Sequence, residues 1–225
     1  MADEFDAALQ EAKHAALSLF ARRVAHDLNN FATVIRTYSE LLMADAPPGT
    51  AYDDLGEIHR AADAMVAYLQ QVGRFTRLDG RASRIEVESA VAETLAALQH
   101  QEPGARVFVD GSTRACVSCD VARFTDTVRE LVRNAREASP IDRPVVVRLL
   151  QESVWVVVRV TDEGPGFATE VDDIAEDPFV TTKQGVRGAG FGLTIASVFA
   201  RKNGGRLVRE RAADRTHVSV WLPMA

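Results

Sequence analysis

Asp162-Glu163-Gly164-Pro165-Gly166-Phe167 stands at the end of an alternating run, Val154, Val156, Val158, Val160. Downstream comes Gly188-Ala189-Gly190-Phe191-Gly192-Leu193, which opens onto a segment carrying Ile195, Val198 and Phe199 at helical spacing. Period-two alternation reads as a strand with one packed face, and the 3–4 spacing reads as an amphipathic helix. Val145, Val147 and Leu149 give the partner strand of a hairpin, and Val218, Val220 and Leu222 a further strand, with Trp221 on its other face. A helix over 121–138 precedes them and buries Val121, Phe124, Val128, Leu131, Val132 and Ala135. Shorter strands are expected at Ile85 and Val87, at 107–109 and at 116–117, with a helix over 89–98. The back half is therefore an α/β sandwich.

Working outward, the pattern changes near residues 79–80. Before it, Val24, Leu28, Phe31, Ile35, Tyr38 and Leu42 step by 4, 3, 4, 3, 4, the seam of a packed helix. Leu17 and Phe20 extend it backward. Ala46-Pro47-Pro48-Gly49-Thr50 interrupts it, since Pro cannot continue a helix and Gly favours a turn. A second stripe, Leu55, Ile58, Ala62, Met65, Leu69 and Val72, follows. Two such helices joined by a short loop form an antiparallel hairpin. One hairpin cannot bury both stripes, so a homodimer closing a four-helix bundle is expected. The fold class is α+β: a helical hairpin over 1–79 and a sandwich over 80–225.

Composition bounds the possibilities. The chain has 225 residues, 47% of them hydrophobic, and a net charge of −6. No basic block points to nucleic acid. No apolar run approaches the roughly 18–20 residues of a membrane span. The acidic start, Met1 to Asp6, lacks the features of a signal peptide, and a cytoplasmic location is expected. Cys116 and Cys119 lack a second ligand pair or a nearby His and are read as two small strand residues.

Several residues carry chemistry. With Val24 at d and Leu28 at a, His26 falls at f, the most exposed heptad position, and Asn30 lies one turn along. Asp27 is placed to approach one imidazole nitrogen. Glu130 and Asn134 stand four apart on the polar side of their helix. The Asn offers an oxygen to Mg²⁺ and the Glu a carboxylate to a metal-bound or attacking water. Asp162, at a strand end, can accept a hydrogen bond from the exocyclic amine of adenine. Gly164 and Gly166 let the backbone turn close to a base. Lys183 offers a cation to phosphates, and Gly188, Gly190 and Gly192 precede a helix N-terminus, where exposed N–H groups suit a phosphate. The stretch over 171–190 has little apolar periodicity and suits a lid over a bound nucleotide.

Taken in order, these motifs resemble the core of a two-component sensor histidine kinase, with a Bergerat-type ATP-binding domain. The resemblance spans about Ala15 to Pro223. His26-Asp27-Leu28-Asn29-Asn30 resembles the H box and Glu130 to Ala138 the N box. Asp162 to Phe167 resembles the G1 box, Asp177 to Lys183 the F box and Gly188 to Leu193 the G2 box. It implies that His26 accepts the phosphoryl group, Asp27 holds its imidazole, and Asn30 orients water for dephosphorylation. Asn134, supported by Glu130, would bind Mg²⁺. Asp162 would read adenine, with Gly164, Gly166, Thr182, Lys183, Gly188, Gly190, Phe191, Gly192 and Leu193 completing the ATP site. The implied partners are a second copy and a response-regulator receiver domain. Regulation is expected from a partner such as a separate sensor or regulatory protein, from another kinase, or from the N-terminal helix, because only about twenty residues precede the H box. Phe31 stands where many relatives have Pro, and Glu137 where many carry Lys or His. The competing reading is a histidine phosphotransfer hub whose sandwich is only a scaffold. An anti-sigma type of serine kinase leaves the hairpin and His26 unexplained.

Overall fold

The computed structural model describes residues 2–75, 80–101, 104, 106–167, 172–176, 180 and 190–225, without the side chains of 2–20, 22, 67, 71, 74 and 75. The described elements fall into two compact units. The first is α1 (Ala2–Asp45) and α2 (Thr50–Phe75), packed on each other as a hairpin. Pro47, Pro48 and Gly49, the last at φ 151°, occupy the break.

The hairpin interior is not built from the large apolar stripe. Ala25, Ala32 and Ser39, spaced by seven, are buried on α1 and meet a face of α2 that buries Ala62 and Leu69. Small residues let the two helices approach closely. A polar strap crosses the interior. Ser39 Oγ donates to the Arg36 carbonyl at 2.8 Å and lies 3.1 Å from His59 Nδ1, while His59 Nε2 stands 3.4 Å from Asp63. Phe31, Tyr38, Leu41 and Leu42 remain 56–64% exposed on the other side of α1.

The second unit contains β1 (Ser83–Glu86), α3 (Val87–Gln101), β2 (Val107–Asp110), β3 (Cys116–Cys119), α4 (Val121–Ala138), β4 (Val145–Glu152), β5 (Trp155–Asp162), α5 (Gly192–Lys202), β6 (Arg206–Ala212) and β7 (Arg215–Pro223). The main sheet has the order β2-β4-β5-β7-β6. β2 runs parallel to β4 and the other neighbours are antiparallel. β1 and β3 pair separately. Alternation does the work it should: Val156, Val158 and Val160 of β5 lie beside Val218, Val220 and Leu222 of β7 on the helix-covered face. Against them pack Phe124, Val128, Leu131 and Val132 of α4 and Ala196, Phe199 and Ala200 of α5. Phe124 and Phe199 meet edge to face at 6.2 Å. On the opposite face, Arg206 sits between Trp155 and Trp221, 5.0 and 4.3 Å from the ring centroids.

Four details depart from expectation. Val154 lies in the turn before β5 and is exposed, because the strand starts at Trp155. Val87 starts a helix instead of ending a strand. Val121 is exposed, because it is the first residue of α4, beyond the core. β6, rich in arginine and without an apolar alternation, carries no strand signal, yet it pairs along its whole length with β7. Cys116 and Cys119 are strand residues with free thiols. Burial pushes the Cys119 thiol up to about 11. Among the described residues no helix is long and apolar enough to cross a membrane.

Candidate functional site

In the hairpin unit, α1 presents His26, whose side chain is 71% exposed. Its Nδ1 lies 3.1 Å from Asp27 Oδ1. The carboxylate can only accept, so in the neutral imidazole Nδ1 carries the hydrogen and Nε2 has the lone pair. Asn30 is exposed one turn later. Arg23 approaches Asp27 from the preceding turn at 3.7 Å.

In the sandwich unit, α4 supplies one wall of the candidate site. Asp120 caps it, accepting from the Ala122 and Arg123 N–H groups at 2.8 and 3.3 Å. The polar side of α4 is not a solvated face. Asp126, Thr127 and Glu130 are buried, and Glu130 is only 2% exposed. A buried carboxylate needs a partner, and Arg133 donates to Glu130 Oε2. Glu130 is therefore held by Arg133 of the same helix, and Asn134, half-buried one turn on, lies against the start of α5 at Gly192. A Cβ at Gly192 would stand 2.4 Å from Asn134 Nδ2, so only glycine lets the start of α5 approach the Asn amide. Phe191, at the α5 N-cap, is buried and anchors that approach, while Leu193 packs against the core.

The turn after β5 forms the second wall. A Cβ at Gly164 would meet the Ala138 carbonyl at 2.6 Å, which seats this turn on the last turn of α4. Asp162 is 5% exposed. Its Oδ1 accepts from the Gly164 N–H at 2.8 Å, and Thr216, its neighbour across β5 and β7, bonds it as well. Burial pushes the Asp162 carboxyl above its ordinary value. The Gly164 and Thr216 hydrogen bonds and the charges of Arg211 and His217 pull it back. Glu163 is held from both sides, by Arg143 at 3.2 Å and Arg215 at 3.1 Å. Asp172 and Glu176 are tied to Arg209 of β6. Arg209 also lies over the Phe167 ring at 5.1 Å, and Glu176 accepts from Ser197 of α5 at 2.5 Å.

Asn134, Asp162, Gly164, Gly166, Gly190, Phe191, Gly192 and Leu193 thus cluster where α4, the turn after β5 and the start of α5 converge. Glu130 lies one turn back along α4. His26, Asp27 and Asn30 belong to the hairpin. Thr182, Lys183, Gly188 and most of 171–190 lie outside the described residues. Thr216, Arg209 and Arg211 were not singled out from the sequence. They sit on strands whose place beside Asp162 is set by long-range pairing, and no local spacing announces it.

The residues gathered here have the chemistry to hold a nucleotide. A desolvated acceptor at the foot of a glycine turn suits an exocyclic amine, and a glycine-fronted helix start suits phosphates. For Mg²⁺ the available oxygen is that of the Asn134 amide, consistent with an ion that takes few protein ligands and is completed by phosphates and water. Among the described residues there is no cluster of three acidic, His or Cys ligands.

Residues 119–225 match the family model described as histidine kinase-, DNA gyrase B-, and HSP90-like ATPase. The chain is 25% identical to the sensor kinase CckA of Brucella abortus (strain 2308), over 95% of this chain and 25% of that protein. It is 32% identical to the sensor protein CseC of Streptomyces coelicolor, over 82% of this chain and 34% of CseC. The chain therefore spans about a quarter to a third of these two relatives. Among solved structures, full-length ShkA in complex with AMPPNP superposes with a TM-score of 0.70 at 18% identity, covering 91% of this chain and 45% of that one, which shows the shared fold.

Proposed function

This chain carries the core of a two-component sensor histidine kinase, and from that premise we propose an ATP-dependent protein-histidine kinase that phosphorylates itself on His26. The phosphoryl group then passes to an Asp of a response-regulator receiver domain. The observation that carries this reading is that a buried acceptor, Asp162, ends the strand whose turn packs on α4 at Gly164, while the start of α5 approaches Asn134 of the same helix at Gly192.

The chemistry follows from named atoms. Asp162 accepts a hydrogen bond from the adenine amine. Asn134 would hold Mg²⁺ through its amide oxygen, with Glu130 supporting that site from one turn back along α4. The metal, when bound, draws charge from the phosphate oxygens. Asp27 accepts the Nδ1–H of His26, which leaves Nε2 as the nucleophile. Nε2 bonds to the γ-phosphorus, the bond from that phosphorus to the β–γ bridging oxygen breaks, and ADP leaves. Asp27 offsets the positive charge that develops on the imidazole. Exposure of His26 suits a group that must be reached first by a donor and then by a receiver. Asn30, on the same exposed side, orients water for dephosphorylation of the partner.

The exposed seam of α1 supports a homodimer. Phe31, Ile35, Tyr38 and Leu42 are 43–64% exposed and line one side of α1, and a second hairpin would cover them in a four-helix bundle.

The test is incubation with γ-labelled ATP and Mg²⁺. The expected label is acid-labile, alkali-stable and absent from His26→Ala, which should still bind ATP. Asn134→Ala should lose both label and Mg-ATP binding. Retained label in either variant would overturn the assignment. A folded, ATP-binding chain without label would point instead to a phosphotransfer hub.

A further inference from the structure

Arg211 stands behind the Asp162 turn. It is paired with Thr216, two residues along β6 from the Arg209–Val218 pair, and so projects on the helix-covered side of the sheet. Its Nη1 donates to the Gly164 carbonyl at 3.1 Å and to Thr216 Oγ1 at 3.3 Å. A Cβ at Gly166, where φ is 83°, would stand 2.4 Å from the same nitrogen, so the guanidinium fills the hollow of the turn. Thr216 is 3% exposed and bonded to Asp162.

The direction of these bonds matters. A guanidinium donates and never accepts. The Thr216 oxygen therefore receives a hydrogen from Arg211 and directs its own hydrogen at the Asp162 carboxylate. The Gly164 N–H donates to the same carboxylate. Both described groups bonded to Asp162 are donors, so its remaining lone pairs require a donor from the ligand. A 6-amino purine supplies one, and a 6-oxo purine presents a second acceptor.

We propose that Arg211 is a positioning residue for the base: through Thr216 and the Gly164 carbonyl it holds Asp162 as a fixed acceptor, and so sets the preference for 6-amino over 6-oxo purine nucleotides. This rests on the reading of Asp162 as the adenine contact.

The experiment is calorimetric binding of ATP and of ITP to the full chain, with circular dichroism to confirm folding. Arg211→Gln should weaken ATP on the order of ten-fold and change ITP about two-fold or less, which shrinks the ATP-to-ITP ratio. Arg211→Lys, a cation with a single-point head, should restore part of the ratio. Thr216→Val should shrink it too, and Arg211→Gln added to Thr216→Val should shrink it no further, since both act through one link. Should Arg211→Gln fail to fold, Arg211→Lys and Thr216→Val read the same link. Equal weakening of both nucleotides, or an unchanged ratio, would overturn the proposal while ATP binding by the unaltered chain still upheld the kinase reading. Failure of the unaltered chain to bind ATP would overturn both.

Discussion

The two units bury opposite kinds of residue. The sandwich places its bulk inside: Phe124, Phe191, Leu131 and Leu222 are each almost fully buried. The hairpin places Ala25, Ala32, Ser39 and Ala62 inside and leaves Leu28, Phe31, Ile35, Tyr38 and Leu42 exposed. Burying a large apolar side chain contributes about 1.5–3 kcal/mol. The sandwich collects that gain within one chain. The hairpin, taken singly, forgoes it along a whole helix face. A sandwich of this kind can hold a binding cleft rigid by itself, whereas a hairpin built this way is completed by something outside it, which under the proposal above is a second copy.

The comparison breaks most easily at Phe124, which packs edge to face on Phe199. Phe124→Ala should cost about 3–5 kcal/mol, from lost transfer energy plus an unfilled cavity. Both tryptophans, Trp155 and Trp221, lie in the sandwich on β5 and β7. Tryptophan fluorescence therefore reports that unit alone, while far-ultraviolet circular dichroism is dominated by α1 and α2. Denaturation of Phe124→Ala should shift the fluorescence transition by that amount and leave a large helical signal that melts separately. A single transition shared by both probes would show that the units are not independent.

The hairpin side is sharpened by charge. Phe31→Glu combined with Leu42→Glu places four carboxylates in a bundle formed by two copies. The dimer dissociation constant should rise about 100-fold or more, roughly 2.7 kcal/mol. Sedimentation equilibrium reads it directly. The fluorescence-detected stability of the sandwich should move by less than about 0.5 kcal/mol, because exposed substitutions far from a core change little. A monomeric unaltered chain, or a double variant that dimerises as before, would remove the seam from its assigned role.

What could be read from the sequence follows the range of the interaction that fixes it. The α1–α2 break is local, because Pro47, Pro48 and Gly49 act on their own backbone. The span of α4 is local too, and so is the strand alternation leading into Asp162. The large apolar stripe of α1 is legible in the sequence, but its spacing does not say which face meets α2, and its residues stay exposed in the single hairpin. That choice depends on close packing through Ala25 and Ala32, and alanine gives a weak periodic signal. The burial of Glu130 was equally hidden. A carboxylate in a helix reads as surface until Arg133 and the surrounding core are in place. β6 shows the limit most plainly. Its arginines satisfy carbonyls and carboxylates far away in sequence, at Gly164, Asp172 and Glu176, and no pattern within residues 206–212 carries that information.

The smallest expected effect concerns protons at Asp162. Burial holds its carboxyl above the unfolded value of 3.8. The fold therefore favours the protonated form, and the stabilisation this gives the empty protein is fully present below 3.8. It is lost as pH rises through the higher folded value. Nucleotide binding has the opposite slope, because the adenine amine needs the ionised acceptor, so affinity falls as pH drops through that same raised value. Each unit of displacement is worth about 1.4 kcal/mol in either measurement. Other carboxylates titrate nearby, so the informative quantity is the difference between the unaltered chain and Asp162→Asn. That difference should slope downward with rising pH for fluorescence-detected stability and upward for ATP affinity, over a shared window that begins at 3.8. Slopes of the same sign would show that Asp162 does not meet the base.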